Sequence, residues 1–210
     1  MLFALIVPVT AVAQQTIVVM GDSLSAAHGM AQKEGWVNLL ALRIDAEQRP
    51  YRVINASISG ETTQGALTRF EGILATYQPE IVVIALGGND GLRGLSLNAM
   101  KKNLAAMIKQ AQAAQAQVLL AGIQLPPNYG RTFNQRFADT YQQLANEYNV
   151  VLLPFLLKGM EADLSQFQRD GIHPLNTAQP IILDNVWQSL LPLINANESS
   201  STHFLMGLIE

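Results

Sequence analysis

The chain has 210 residues, 49% of them hydrophobic, and a formal net charge of −3. That length suits one domain able to bury roughly 70% of its unfolded surface, and no basic block marks it for nucleic acid. With no cysteine it has no disulfide, no cysteine nucleophile and no thiolate metal site; its three histidines, His28, His173 and His203, are too few for a histidine-rich metal centre.

Residues 1–13 form an apolar run ending in Ala11-Val12-Ala13, the small-residue pattern of a secretory cleavage site, although no basic residue precedes it. The run is too short for a stable transmembrane helix. We expect an exported protein with a signal remnant at 1–13, a domain over 14–195 and a tail over 196–210.

Strand-like runs recur beyond that point: 16–20, 51–55, 81–86, 118–123 and 150–153. They are short, apolar and rich in β-branched residues. Segments with apolar residues at helical spacing separate them: 36–47, 63–77, 97–117, 133–149 and 178–194. The residues after Ser23 are also helix formers. Strands alternating with helices of this length predict an α/β fold, a parallel sheet covered on both faces. Crossovers should be right-handed, and the site should lie at the carboxyl ends of the strands. Asn197 to Thr202 is polar and loop-like, so the last stretch reads as a frayed tail, with His203 a solvated tail residue.

Four clusters fall where such a sheet places its chemistry. Ser23, in Gly21-Asp22-Ser23-Leu24-Ser25, follows the first strand. Gly60 follows the second and Asn89, in Gly87-Gly88-Asn89-Asp90-Gly91, follows the third. Asp170-Gly171-Ile172-His173-Pro174 precedes the last helix. Taken singly, each has a structural explanation. Gly60 could simply enter a helix that Thr62 or Thr63 caps, and the other Gly/Asn/Asp groups could be ordinary turns. Their convergence at one end of one sheet is what points to chemistry.

A serine at a strand-to-helix turn lifts its hydroxyl above the sheet, near the positive end of a helix dipole. The hydroxyl is a weak nucleophile and requires a base within hydrogen-bond reach. His173 is the one histidine in a tight polar turn, and Asp170 is close enough to orient its ring. Pro174 biases His173 toward an extended backbone. The backbone N–H groups of Ser23 and Gly60 and the side-chain amide of Asn89 could receive an oxyanion, each such donor being worth ~2.7–4 kcal/mol of barrier. Gly60 allows close backbone approach, and Asn89 donates without charge.

Gly21-Asp22-Ser23-Leu24-Ser25, Gly60, Gly87-Gly88-Asn89-Asp90 and Asp170-Gly171-Ile172-His173 resemble, in order, the four sequence blocks of the GDSL, or SGNH, hydrolases. The likeness runs from about residue 16 to residue 194. Within the family the chain looks like the bacterial thioesterase I / lysophospholipase L1 / arylesterase group, especially at 55–62, 86–94 and Leu125-Pro126-Pro127-Asn128-Tyr129-Gly130. The resemblance implies a three-layer α/β/α, flavodoxin-like fold with a central five-stranded sheet. It implies Ser23 as nucleophile, His173 as base, Asp170 as its orienter, and Ser23, Gly60 and Asn89 as the oxyanion hole. It also implies a monomeric periplasmic or secreted hydrolase with no cofactor and no metal. The group usually continues Ala-Gly-Tyr after Ser25; this chain has Ala26-Ala27-His28. His28 reads as an exposed first-turn side chain without a catalytic role.

The expected substrates are small-molecule carboxylic esters and thioesters with neutral, partly apolar acyl groups. The glycine-rich loop 87–94 could move on ligand binding, with Leu92, Leu125 and Pro126 as apolar surface beside it and Arg93 as a solvated loop charge. A carbohydrate O-acetyl esterase and a non-catalytic lipid- or peptide-binding module are the alternatives.

Overall fold

A computed structural model describes residues 14–161 and 163–206, with side chains through 199. The proposed signal remnant at 1–13 and the side chain of His203 lie outside the described residues. Five parallel strands form the core: β1 (Gln15–Gly21), β2 (Tyr51–Asn55), β3 (Ile81–Ala85), β4 (Gln117–Ala121) and β5 (Val151–Leu153). Their order is β2-β1-β3-β4-β5. β1 and β3 are buried along nearly their whole length, which explains their uninterrupted apolar sequences: a strand covered on both faces has no reason to alternate.

The helices are α1 (Trp36–Ala46), α2 (Thr63–Tyr77), α3 (Gly88–Leu92), α4 (Leu97–Ala113), α5 (Arg131–Tyr148) and α6 (Gln179–Met206). α1 packs with α6, while α2, α4 and α5 pack side by side, giving a layer on each face of the sheet. The three-layer expectation holds. From β1 the chain steps outward to β2, then returns past β1 to β3. β1 and β3 therefore flank the point where strand order reverses, the crevice in which open α/β sheets bind ligands.

The structure departs from the sequence reading in three places. No regular helix follows Ser23. Residues 22–30 form a series of turns, with Ala26 N–H bonded to the Asp22 carbonyl and His28 N–H to that of Ser23. Left-handed backbone at Ala27 (φ +56°) and Gly29 (φ +73°) stops propagation, so α1 starts only at Trp36 and no helix dipole backs Ser23. Second, the glycine-rich segment after β3 includes the short helix α3 rather than only a turn. Third, α6 runs on through the polar stretch expected to be a tail. Arg49 holds it there, donating to Asn195 Oδ1 (2.8 Å) and pairing with Glu198 Oε2 (2.7 Å). Among the described residues no helix is long and apolar enough to cross a membrane.

Gly87 shows how tightly the sheet end is built. Its φ is +114°, and a β-carbon there would lie 2.3 Å from the Tyr141 hydroxyl oxygen and 3.1 Å from Met100 Sδ. That hydroxyl donates to the Leu86 carbonyl at 2.9 Å, and burial pushes its pKa well above the ordinary tyrosine value. Gly87→Ala should cost about 3 kcal/mol through overlap and backbone strain. Adding Tyr141→Phe should recover part of the loss, a coupling read from urea midpoints in a double-mutant cycle; independent, additive losses would contradict this account.

Candidate active site

Ser23 leaves the end of β1 half-buried, with its hydroxyl 2.9 Å from His173 Nε2. His173 Nδ1 lies 2.7 Å from Asp170 Oδ2. Asp170 Oδ1 accepts the backbone N–H groups of Ile172 (2.9 Å) and His173 (3.0 Å). The Asp170 carboxylate therefore both shapes the turn and meets the ring. Desolvation pushes its pKa upward, but the His173 ring and the two backbone donors outweigh it and hold the group at about 2. Gly171, at φ +69°, lets the chain turn between the two side chains. Phe167 and Pro174 form an antiparallel bridge, and Leu175 N–H bonds the Gln166 carbonyl (2.7 Å), closing the loop at its base.

Trp36 joins this loop to the Ser23 loop. Fully buried, it donates its indole N–H to the Leu24 carbonyl (3.0 Å), while its backbone N–H donates to the side chain of Gln179 at the start of α6 (3.0 Å).

The expected oxyanion donors sit on three loops bonded to one another. Ile58 N–H donates to the Gly21 carbonyl (3.1 Å), and Arg93, from the end of α3, donates to the Gly60 carbonyl (2.8 Å). Arg93 is thus exposed, as expected, yet bonded rather than merely solvated. Glu61 pairs with Arg69, which also donates to the Ala56 carbonyl, fixing the segment that carries Gly60. Neither Ser23 N–H nor Gly60 N–H donates to another described residue. Asn89, half-buried in α3, donates from Nδ2 to Asp22 Oδ2 at 3.3 Å.

Asp22 and Asp90 lie inside the motifs that carry Ser23 and Asn89, and nothing in the sequence assigns either a role. Asp90 is buried and accepts the backbone N–H (2.8 Å) and hydroxyl (2.6 Å) of Thr63, tying α3 to the first turn of α2. Asp22 is 2% exposed and accepts the Leu24 N–H (3.1 Å) as well as the Asn89 amide. Desolvation dominates its titration and raises its pKa to about 6 against the two hydrogen bonds. A carboxylate inside a motif was the available signal for both residues, but burial and partners are three-dimensional facts. His28 is exposed, as expected, but its ring lies against that of His173.

Of the apolar rim residues, Leu92 and Pro126 are half-buried beside the loop. Leu125 is the most buried of the three. It is 7% exposed, and Gly91 lacks a β-carbon where one would lie 2.6 Å from the Leu125 methyls. Leu125 therefore packs against α3. A cavity of about 610 Å³ opens beside the Asp170 turn, lined by Gly29, Met30, Glu34, Arg169, Leu175 and Asn176 among others.

Serine, imidazole and carboxylate in one hydrogen-bonded line, at the carboxyl end of a parallel sheet, form the arrangement of a serine hydrolase. The sequence model of the GDSL-like Lipase/Acylhydrolase family matches residues 19–179, and the chain belongs to that family. It is 48% identical to Esterase TesA of Pseudomonas aeruginosa over 191 residues, 91% of this chain and 95% of that protein. It is 41% identical to Thioesterase 1/protease 1/lysophospholipase L1 of Escherichia coli over 194 residues, 92% of either chain. The crystal structure of TesA superposes with a TM-score of 0.84 at 49% identity, covering 85% of this chain and 99% of the other.

Asp22 yields a test in which stability and activity move in opposite directions. A buried carboxyl whose pKa is raised binds more protons folded than unfolded between about 4 and about 6. Its contribution to stability is therefore fully present below about 4 and lost as pH rises through about 6, a loss of about 3 kcal/mol. Asp22→Asn removes that titration, so its stability relative to wild type should rise by about this amount between pH 4 and pH 7 in urea melts. An amide at 22 would also present N–H to the Asn89 N–H, forcing the Asn89 amide to turn its oxygen inward. Hydrolytic kcat should then fall by ~10². A variant with wild-type kcat, or a stability difference flat with pH, would refute this role.

Proposed function

We propose that the protein hydrolyses carboxylic esters and thioesters through an acyl-enzyme on Ser23. The continuous hydrogen-bonded line from Ser23 through His173 to Asp170 carries this reading. In acylation the Ser23 oxygen attacks the substrate carbonyl carbon while His173 Nε2 takes the hydroxyl proton. The carbonyl π electrons move onto oxygen, and the negative charge meets the N–H groups of Ser23 and Gly60 and the Asn89 amide. Asp170 holds the imidazole in the tautomer that receives a proton at Nε2 and stabilises the imidazolium. Collapse breaks the bond to the alcohol or thiol, which leaves with the proton from His173. Water then repeats the sequence on the acyl-serine, releasing the acid and restoring Ser23.

The names of the relatives, esterase and thioesterase/lysophospholipase, support broad acyl and leaving-group tolerance. The rim near Leu92 and Pro126 supports partly apolar acyl groups. The complete set of Ser23, Gly60, Asn89, Asp170 and His173 weighs against a non-catalytic lipid-binding module. Ser23→Ala should lower hydrolysis of p-nitrophenyl acyl esters by at least ~10³-fold and abolish labelling by a fluorophosphonate probe; undiminished turnover in the variant would refute Ser23 as nucleophile. Across an acyl series, activity should persist beyond acetyl. A steep collapse after acetyl would favour the carbohydrate O-acetyl esterase.

Export to the periplasm or beyond, as a monomer, completes the proposal. The apolar run ending in Ala11-Val12-Ala13 supports export, and an exported enzyme would meet esters rather than cytosolic acyl-CoA. N-terminal sequencing of the exported protein should begin at Gln14; a cytosolic product retaining residues 1–13 would contradict it.

A further inference from the structure

The hydrogen bonds to His173 attach at its two ring nitrogens, Asp170 at Nδ1 and Ser23 at Nε2. They locate those nitrogens, and the bond from Cβ to the ring limits any roll about the line between them to small excursions. A neighbour pressed on one ring face would stop that roll. His28 provides one: the two ring centroids are 4.3 Å apart and the planes are inclined by 37°.

The backbone under His28 is shaped to deliver this contact. Left-handed residues flank it, Ala27 at φ +56° and Gly29 at φ +73°. Ala27 has a β-carbon and adopts this unfavourable conformation while buried. Its methyl occupies the space that a β-carbon at Gly35 would need, 2.8 Å away. On the other side a β-carbon at Gly29 would lie 2.5 Å from Gln168 Oε1. Gln168 Nε2 donates to the carbonyls of His28 (2.8 Å) and Pro174 (3.3 Å), and Gln168 N–H donates to the His173 carbonyl (2.7 Å). A single residue thus ties the turn that bears His28 to the segment that bears His173.

We infer that His28 is a positioning residue for the general base. Its ring lies on a face of the His173 imidazole and keeps Nε2 directed at Ser23 through both proton transfers. This rests on the reading of Ser23 and His173 as nucleophile and base. The contact acts by shape, so another flat ring should replace it and a methyl group should not. Small misplacements of a catalytic group cost rate far more than they cost binding.

Steady-state hydrolysis of p-nitrophenyl acetate by His28→Ala and His28→Phe tests the inference, with circular dichroism confirming that both fold. His28→Ala should lower kcat about tenfold while KM stays within twofold, and His28→Phe should keep at least half of the wild-type kcat. A role for His28 only at the entrance would raise KM and leave kcat alone, which would overturn the inference. Wild-type kcat in His28→Ala, or equal losses in both variants, would overturn it as well. Ser23→Ala run alongside separates the layers: full activity there would remove the underlying reading of the site, whereas loss there with unchanged His28→Ala kinetics removes only the positioning role.

Discussion

The bond from Ser23 to His173 joins residues 150 positions apart. Closing a loop of that length is opposed by chain entropy, and one partly buried hydrogen bond contributes far too little to close it alone. The sheet and its two helical layers therefore do the closing. β1 fixes one end, and α6 packed on α1 fixes the other. Trp36 bridges them, holding the Leu24 carbonyl with its indole while Gln179 accepts its backbone N–H. Both bonds are buried or partly buried, so they pin the two loops where water competes least. The site is a consequence of that clamp. Ser23 and His173 need only short loops to meet once the ends of β1 and α6 have been placed.

The opposite side of the site uses a different device. Gly60 and Asn89 come from the loops after β2 and β3, the neighbours of β1 on either side. Parallel strands of one sheet end at one edge, so three loops converge without long excursions. Side-chain bonds to backbone then remove the remaining freedom. Arg69 and Glu61 fix the second loop, Arg93 fastens it to the third, and Asp90 fastens the third to α2. Donors held in this way need not reorganise when charge develops on a substrate oxygen, which is the basis of electrostatic stabilisation by a preformed hole.

What the sequence made legible follows the same division. Strand runs were readable because burial on both faces leaves only apolar, β-branched residues, as in β1 and β3. The reacting residues were readable because acyl transfer admits few residue types, and the chain places them after strands in the family's order. Contacts that depend on neighbours remote in sequence were not readable. Ala27 is a good helix former by composition, yet the packing of its methyl into the space beside Gly35 puts it in left-handed backbone and ends the expected helix. The polar stretch after Ile194 looked unable to bury itself, and Arg49, in the connection between α1 and β2, bonds to it where it continues α6. The packing of Leu125 against α3 was unreadable too, because it shows only in the space that Gly91 leaves without a β-carbon.

Asp22 and Asp90 show why buried charge has to be interpreted through its partners. Both lie almost fully buried within a few residues of the reacting groups. Asp90 receives a backbone N–H and a hydroxyl at short range and ties α3 to α2. Asp22 receives one backbone N–H and one longer bond from Asn89, too little to offset desolvation, and its pKa rises to about 6. At neutral pH the fold therefore carries a charge that would be more stable in water, a penalty that is a sizeable share of a net stability of roughly 5–15 kcal/mol. An asparagine or a leucine would avoid that penalty. Neither would present a full negative charge that accepts one N–H of Asn89 and leaves the second free to point elsewhere. The strain lies in the residue next to the nucleophile and serves the amide across the crevice, so it is a cost of orientation rather than of folding.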